Sequence, residues 1–236
     1  MSLGQVGLSG TVPAVTAADR TRVETTHPVH QQLAKRDSVL LVIDTSGWML
    51  KPLGAGGPPR IRVMTDYILK SFGAFPSGMS NGIITFNATE DAAQTPRVTT
   101  VIALQPDDTK QWIAAEPKYL ATLAGIKPEG GTPLYEAIDT AWTHSMANYQ
   151  EGRTNRIIVV TDGADQDAKS KVTYDAMMKT LQQKDPAKPI KVTYAAIGPD
   201  ADHASLQKIA TATGQQAAQL NTTAELEQKF TAVLES

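Results

Sequence analysis

Ser38-Val-Leu-Leu-Val-Ile-Asp44 is an unbroken apolar run closed by an acid. A strand with one wet face alternates apolar and polar residues. Continuous hydrophobicity instead marks a strand buried on both faces, as in the interior of a parallel sheet. Asn155-Arg-Ile-Ile-Val-Val-Thr-Asp162 repeats the pattern and again closes on an acid. Asn81-Gly-Ile-Ile-Thr-Phe86 and Ile190-Lys-Val-Thr-Tyr-Ala-Ala-Ile-Gly198 read as two further inner strands. Val98 to Leu104 and Gln216 to Leu220 read as outer ones.

Helical periods separate these strands. Met64, Tyr67, Ile68, Ser71, Phe72 and Phe75 fall on one face. Leu134, Ala137, Ile138, Ala141, Trp142, Ser145, Met146 and Tyr149 form a longer stripe. Leu206, Ile209 and Ala210 line another helix that Gly214 stops. Leu226, Phe230, Val233 and Leu234 line the last. Strands alternating with amphipathic helices predict an α/β, doubly wound fold: a mostly parallel, six-stranded sheet flanked by helices on both faces. Residues 37–236 are assigned to this domain. Residues 1–36, rich in Thr, Val, Ala and Gly without a period, read as a linker or N-terminal arm.

The chain has 236 residues, 41% hydrophobic and 19% charged, enough apolar material for a sizeable core. Its net charge of −2 and lack of a basic run argue against nucleic acid as partner. With no cysteine, a disulfide framework and a thiolate metal site are excluded. No apolar run reaches the roughly 18–20 residues that a membrane span needs. Met-Ser-Leu-Gly at the start does not read as a secretory signal.

In an open α/β sheet, ligands bind at the carboxyl ends of the strands. Two strands here end in Asp44 and Asp162. Three segments offer oxygen donors: Asp44-Thr-Ser-Gly-Trp48, Gly130-Gly-Thr-Pro133 and Thr161-Asp-Gly163. If the segments converge, they present two carboxylates and two hydroxyls. That all-oxygen set suits Mg²⁺ or Ca²⁺ rather than zinc or copper.

These segments resemble the metal-ion-dependent adhesion site of von Willebrand factor type A (vWA) domains: Asp-x-Ser-x-Ser, a distant Thr and a distant Asp in a Thr-Asp-Gly context. The resemblance implies a Rossmann-like vWA fold with Asp44, Ser46, Thr132 and Asp162 as metal residues. It implies Mg²⁺ as the ion, with Ca²⁺ or Mn²⁺ as substitutes. One position departs: Trp48 stands at the second serine, and an indole N–H cannot ligate a cation. The site is therefore expected to be weakened.

The stretches Asp185 to Asp202 and Leu206 to Gly214 resemble A domains of actinobacterial cell-envelope proteins. That likeness implies an extracytoplasmic location and a monomeric module of a longer protein. The family resemblance implies a binding module, not an enzyme, whose partner is a macromolecule offering an acidic side chain. Trp48, Asn87 and Asp165 are the expected partner contacts.

Plainer readings stand beside these. Asp44 is also a candidate cap of the turn that follows it, Thr132 a candidate N-cap of the helix at Pro133, and Ser46 a candidate for local backbone bonding. Trp48 is read as either tucked inward or exposed as a contact. A metal-independent scaffold using Trp48 and the loops at 87–91 and 163–167 is the alternative function. A phosphotransfer or hydrolase enzyme is disfavoured: Ser46 stands where an aspartyl-nucleophile site needs a second acid, and no Gly-x-Ser-x-Gly elbow exists.

Overall fold

The computed structural model describes residues 37–72, 80–105, 117–118, 121–163, 165, 169–226 and 228–229. The arm read at 1–36, Phe75, Asp167 and the final stripe beyond Leu226 lie outside the described residues.

The six strands are β1 (Asp37–Asp44), β2 (Ser80–Ala88), β3 (Pro96–Gln105), β4 (Thr154–Thr161), β5 (Ile190–Ile197) and β6 (Ala217–Leu220). They form one sheet of order β3-β2-β1-β4-β5-β6. All neighbours are parallel except the β2–β3 pair. The short link from Ala88 to Pro96 makes that exception, because a few residues close a hairpin but cannot carry a parallel crossover. The order reverses beside β1, so the carboxyl ends of β1 and β4 flank the switch point where such sheets bind ligands.

Helices α1 (Arg60–Phe72), α2 (Leu134–Ala147), α3 (Tyr174–Gln182) and α4 (His203–Ala212) cover the two faces. Alternate residues of β1 point into different layers. Val39, Leu41 and Ile43 pack with Met64, Tyr67 and Ile68 of α1 and with Leu226. Leu40 and Val42 pack with Ala137, Ile138 and Trp142 of α2, Met177 and Leu181 of α3, and Leu206 and Ile209 of α4. Burial of β1 on both sides is therefore the structural counterpart of its unbroken apolar sequence. Each such Val, Leu or Ile contributes about 1.5–3 kcal/mol on removal from water.

Helix α3 was not foreseen in the sequence. Its buried set is small (Met177, Met178 and Leu181), and its start is set by the Thr173 hydroxyl, which accepts from the Ala176 amide at 3.2 Å. Helix α4 starts similarly, with Asp202 Oδ1 accepting from the Ser205 amide at 3.0 Å.

Candidate metal centre

Asp44 is the last residue of β1, and Asp162 follows the last residue of β4. Parallel pairing of these strands, with Ile43 beside Val160, brings the two acids to the same edge. Thr161 ties them together: its hydroxyl donates to Asp44 Oδ2 at 2.7 Å and accepts the Gly163 amide at 3.2 Å.

The third segment is held by backbone hydrogen bonds. The Glu129 amide donates to the Thr45 carbonyl at 3.0 Å, and the Gly47 amide to the Gly130 carbonyl at 3.0 Å. The Ala88 amide donates to the Gly131 carbonyl at 3.0 Å. This close approach needs glycine at 130: φ is +62°, and a Cβ there would lie 1.9 Å from the Ala88 carbonyl oxygen. The segment thus carries Thr132 to the carboxyl end of the sheet, so the four metal candidates lie on segments that meet.

The local roles weighed for these side chains divide. Asp44 does accept the Ser46 amide at 2.8 Å, so it caps its own turn. Thr132 does not cap α2; Pro133 occupies the N-cap position without a side-chain bond, and the Leu134 amide turns back to the Thr132 carbonyl instead. Nor does the Ser46 hydroxyl bond the turn backbone. Thr132 Oγ1 is fully buried and has no hydrogen-bond partner; Ser46 Oγ, equally buried, makes no well-formed hydrogen bond and has only the Asp44 carboxylate to turn to. A buried hydroxyl without a partner costs about 1–3 kcal/mol.

The electrostatics also disfavour a charged Asp44. Asp44 is wholly buried, and its carboxyl is raised from 3.8 to about 7. Burial is the main cause and the charge of Asp162 the second; hydrogen bonds from Thr161 and Ser46 act the other way. Two carboxylates and two buried hydroxyls are hard donors, so the residues present fit a hard divalent cation. Among the described residues, no group of three or more His, Cys, Asp or Glu is arranged to hold a metal.

Trp48 lies in a four-residue 3-10 turn (Gly47–Leu50) and is 39% exposed. Lys51 Nζ sits 4.3 Å from the centre of its ring. Leu50 beside it is also exposed. Asn87 is only 9% exposed, and its amide donates to the Thr45 carbonyl at 3.4 Å, so it offers a partner little surface. Asp165 is half-buried, with Oδ1 accepting the Tyr135 amide at 3.3 Å at the start of α2. Trp142 is in the core, whereas Trp112 lies outside the described residues.

Sequence reasoning missed Thr161 as the residue that orients Asp44, although it stands in the quoted Thr-Asp-Gly. It also missed Arg60 and Asp200. Arg60, the first residue of α1, is 2% exposed and paired with Asp200 in the loop after β5. Nothing in a helix start that follows Gly-Gly-Pro-Pro signals a buried guanidinium.

Comparison with known proteins agrees with this architecture. The sequence profile of the von Willebrand factor type A domain matches residues 38–232. An uncharacterized protein of Mycobacterium tuberculosis (strain H37Rv) is 25% identical over 179 residues, covering 73% of this chain. The match occupies 25% of that relative, so the chain spans about a quarter of its length. Among solved structures, a von Willebrand factor type A protein from Catenulispora acidiphila aligns with a TM-score of 0.60 at 17% identity, over 85% of this chain and 42% of the other. The PilB minor pilin from Streptococcus sanguinis aligns at 0.59 and 12% identity, over 85% and 61%. Proximal thread matrix protein 1 from the mussel byssus, solved with a zinc-occupied MIDAS motif, aligns at 0.56 and 15%, over 86% and 46%. At such identities these three speak to fold alone. The profile match, the strand order and the loops that gather at the ends of β1 and β4 together place this chain in the von Willebrand factor type A domain family.

Proposed function

We propose that this domain is a binding module that holds a divalent cation at the carboxyl edge of its sheet and engages an acidic side chain of a partner protein there. The observation that carries the reading is a pair of buried hydroxyls beside the buried acid Asp44: Thr132 Oγ1 has no hydrogen-bond partner, and Ser46 Oγ has none but the Asp44 carboxylate. In water each hydroxyl would be satisfied. Burying Thr132 Oγ1 without a partner is costly unless a ligand supplies one. Ser46 and Thr132 would hold the ion directly, with Asp44 and Asp162 contributing charge, directly or through water. The ion would supply an electrophilic centre for a partner carboxylate. Mg²⁺ is the ion favoured by the donor set, with Ca²⁺ or Mn²⁺ as substitutes.

Trp48 replaces one hydroxyl ligand with a ring, so affinity is expected to be weaker than at a complete site. The zinc-occupied MIDAS motif of the byssus protein supports the reading by analogy of fold. The pilin and byssus relatives likewise support an extracytoplasmic setting. The described helices include none long and apolar enough to cross a membrane.

Calorimetric titration of Mg²⁺ into the metal-stripped chain tests this. Saturable binding is expected, and it should vanish in Ser46→Ala and Thr132→Val. Because Thr132 Oγ1 has no partner, Thr132→Val should keep or exceed wild-type stability without metal. A flat wild-type titration at ion concentrations well above millimolar refutes the reading.

A second reading has its own observation: Trp48 is exposed and braced by Lys51, which suits a direct hydrophobic contact without metal. Partner binding that survives chelation but fails in Trp48→Ala would favour it.

A further inference from the structure

Arg60 is the most deeply placed cation near the ion site. It is 2% exposed, and its Nε has no hydrogen-bond partner. The guanidinium lies against Gly198, where φ is +110° and a Cβ would come within 2.3 Å of Arg60 Cζ. The fold therefore makes room for this one side chain by omitting another. A buried guanidinium is costly to desolvate and persists only where negative charge compensates it. One compensating charge is Asp200, which pairs with Arg60 Nη2. Asp200 is shared, however: its other oxygen takes Lys51 Nζ at 2.5 Å. It is also 45% exposed, so solvent screens it. Asp200 alone is a poor match for two cations.

Further negative charge stands at the carboxyl ends of β1 and β4, in Asp44 and Asp162. Burial makes Arg60 easier to deprotonate, and the charges of Asp162 first and Asp44 second oppose this. Placement agrees: the Arg60 amide donates to the Lys51 carbonyl at 2.9 Å, just past the turn that follows Ser46. The loop that carries Asp200 touches the same acid: the Asp202 amide donates to the Asp162 carbonyl at 2.6 Å.

We propose that Arg60 is a resident counter-cation of the ion site, offsetting the charge of Asp162 and Asp44 and thereby holding divalent-ion affinity low. This rests on the ion-site reading above and assigns its affinity-setting residue. Asp200 sets how much of the Arg60 charge reaches the site. The Trp48–Lys51–Asp200–Arg60 chain links the rim to that setting.

The full chain, stripped of metal, is the material for the test. Arg60→Met keeps bulk and removes charge; Arg60→Lys keeps charge. By calorimetry at about pH 8, Arg60→Met should bind Mg²⁺ about tenfold tighter than wild type, given an unscreened repulsion between a divalent ion and a buried cation. Arg60→Lys should stay close to wild type. Equal or weaker binding by Arg60→Met overturns the proposal. Asp200→Asn provides a second arm, with urea unfolding confirming that the variant is folded under the titration conditions. It should weaken Mg²⁺ binding severalfold by releasing Arg60 toward the site; unchanged or tighter binding overturns the proposal. A third readout needs no metal. Asp162→Asn should raise the melting temperature more in the Arg60→Met background than in wild type; equal shifts overturn the proposal. If no variant binds Mg²⁺, the ion-site reading falls, and the melting comparison still decides whether Arg60 neutralises these acids.

Discussion

The buried acid at the end of β1 makes a quantitative demand on stability. Asp44 is raised from 3.8 to about 7, chiefly by burial and then by Asp162. The folded state therefore binds this proton more tightly than the unfolded chain does. From about pH 4 to about pH 7 the folded state carries the extra proton, so stability falls as pH rises; above that range the loss is complete. At about 1.4 kcal/mol per tenfold change in proton affinity, the metal-free fold gives up roughly 4 kcal/mol by pH 8. Against a usual total of about 5–15 kcal/mol this is a large fraction.

Asp44→Asn removes the charge while keeping the shape and an acceptor for the Ser46 amide. In chelator, urea unfolding should show the variant near wild type at about pH 4 and more stable by up to about 4 kcal/mol at pH 8. Comparing the variant with wild type cancels the titration of other groups. Saturating Mg²⁺ should erase the difference by stabilising only wild type, since an ion that binds only the folded state adds stability by mass action. An Asp44→Asn effect of equal size at both pH values, or a loss that grows with pH, would falsify the account of Asp44 as a carboxyl whose charge burial and Asp162 oppose.

Three other perturbations have clear expected outcomes. Trp48→Ser returns a hydroxyl to the rim and should tighten Mg²⁺ by roughly tenfold, a scale that even outer-shell changes at metal sites reach; unchanged affinity in calorimetry would mean the loop directs that position away from the ion. Gly130→Ala places a Cβ 1.9 Å from the Ala88 carbonyl at a positive φ, and should cost about 2–4 kcal/mol in urea unfolding; a cost below about 1 kcal/mol would contradict the close approach. His144 Nε2 accepts the Leu104 amide at 3.3 Å, and burial lowers its affinity for a proton. The unfolded chain binds that proton more readily, so this contribution is intact above about pH 6.5 and is lost as pH falls toward the lower folded value. Exchange of the Leu104 amide should quicken on acidification, and His144→Gln should remove that pH dependence while leaving an acceptor.

Legibility in the sequence tracked how local each signal is. Leu40, Val42 and their neighbours announce a two-sided strand because every residue of β1 meets one layer or the other. The α2 stripe was legible because six of its residues are buried at helical spacing. Helix α3 was not, because three buried residues in nine give too short a period to stand out. The outer position of β3 was readable, but not its reversed direction. Asp44, Ser46, Thr132 and Asp162 could be named as a set from spacing and resemblance. Whether Thr132 would spend its hydroxyl on the helix start could not, since that depends on Pro133 taking the N-cap.

What the sequence determined by itself was the α/β class, the strand and helix series and the residues worth watching, because hydrophobic period and strand-end chemistry are written within a few neighbouring positions. What only the tertiary structure decided was the company those residues keep. Two hydroxyls are buried beside a buried acid, that of Thr132 without a partner, and a guanidinium from α1 is seated against Gly198 and paired with Asp200. These depend on strand order, on a glycine that lets one loop touch another and on the loss of solvent. Each joins positions far apart in the chain, where no local pattern fixes the distance between charges.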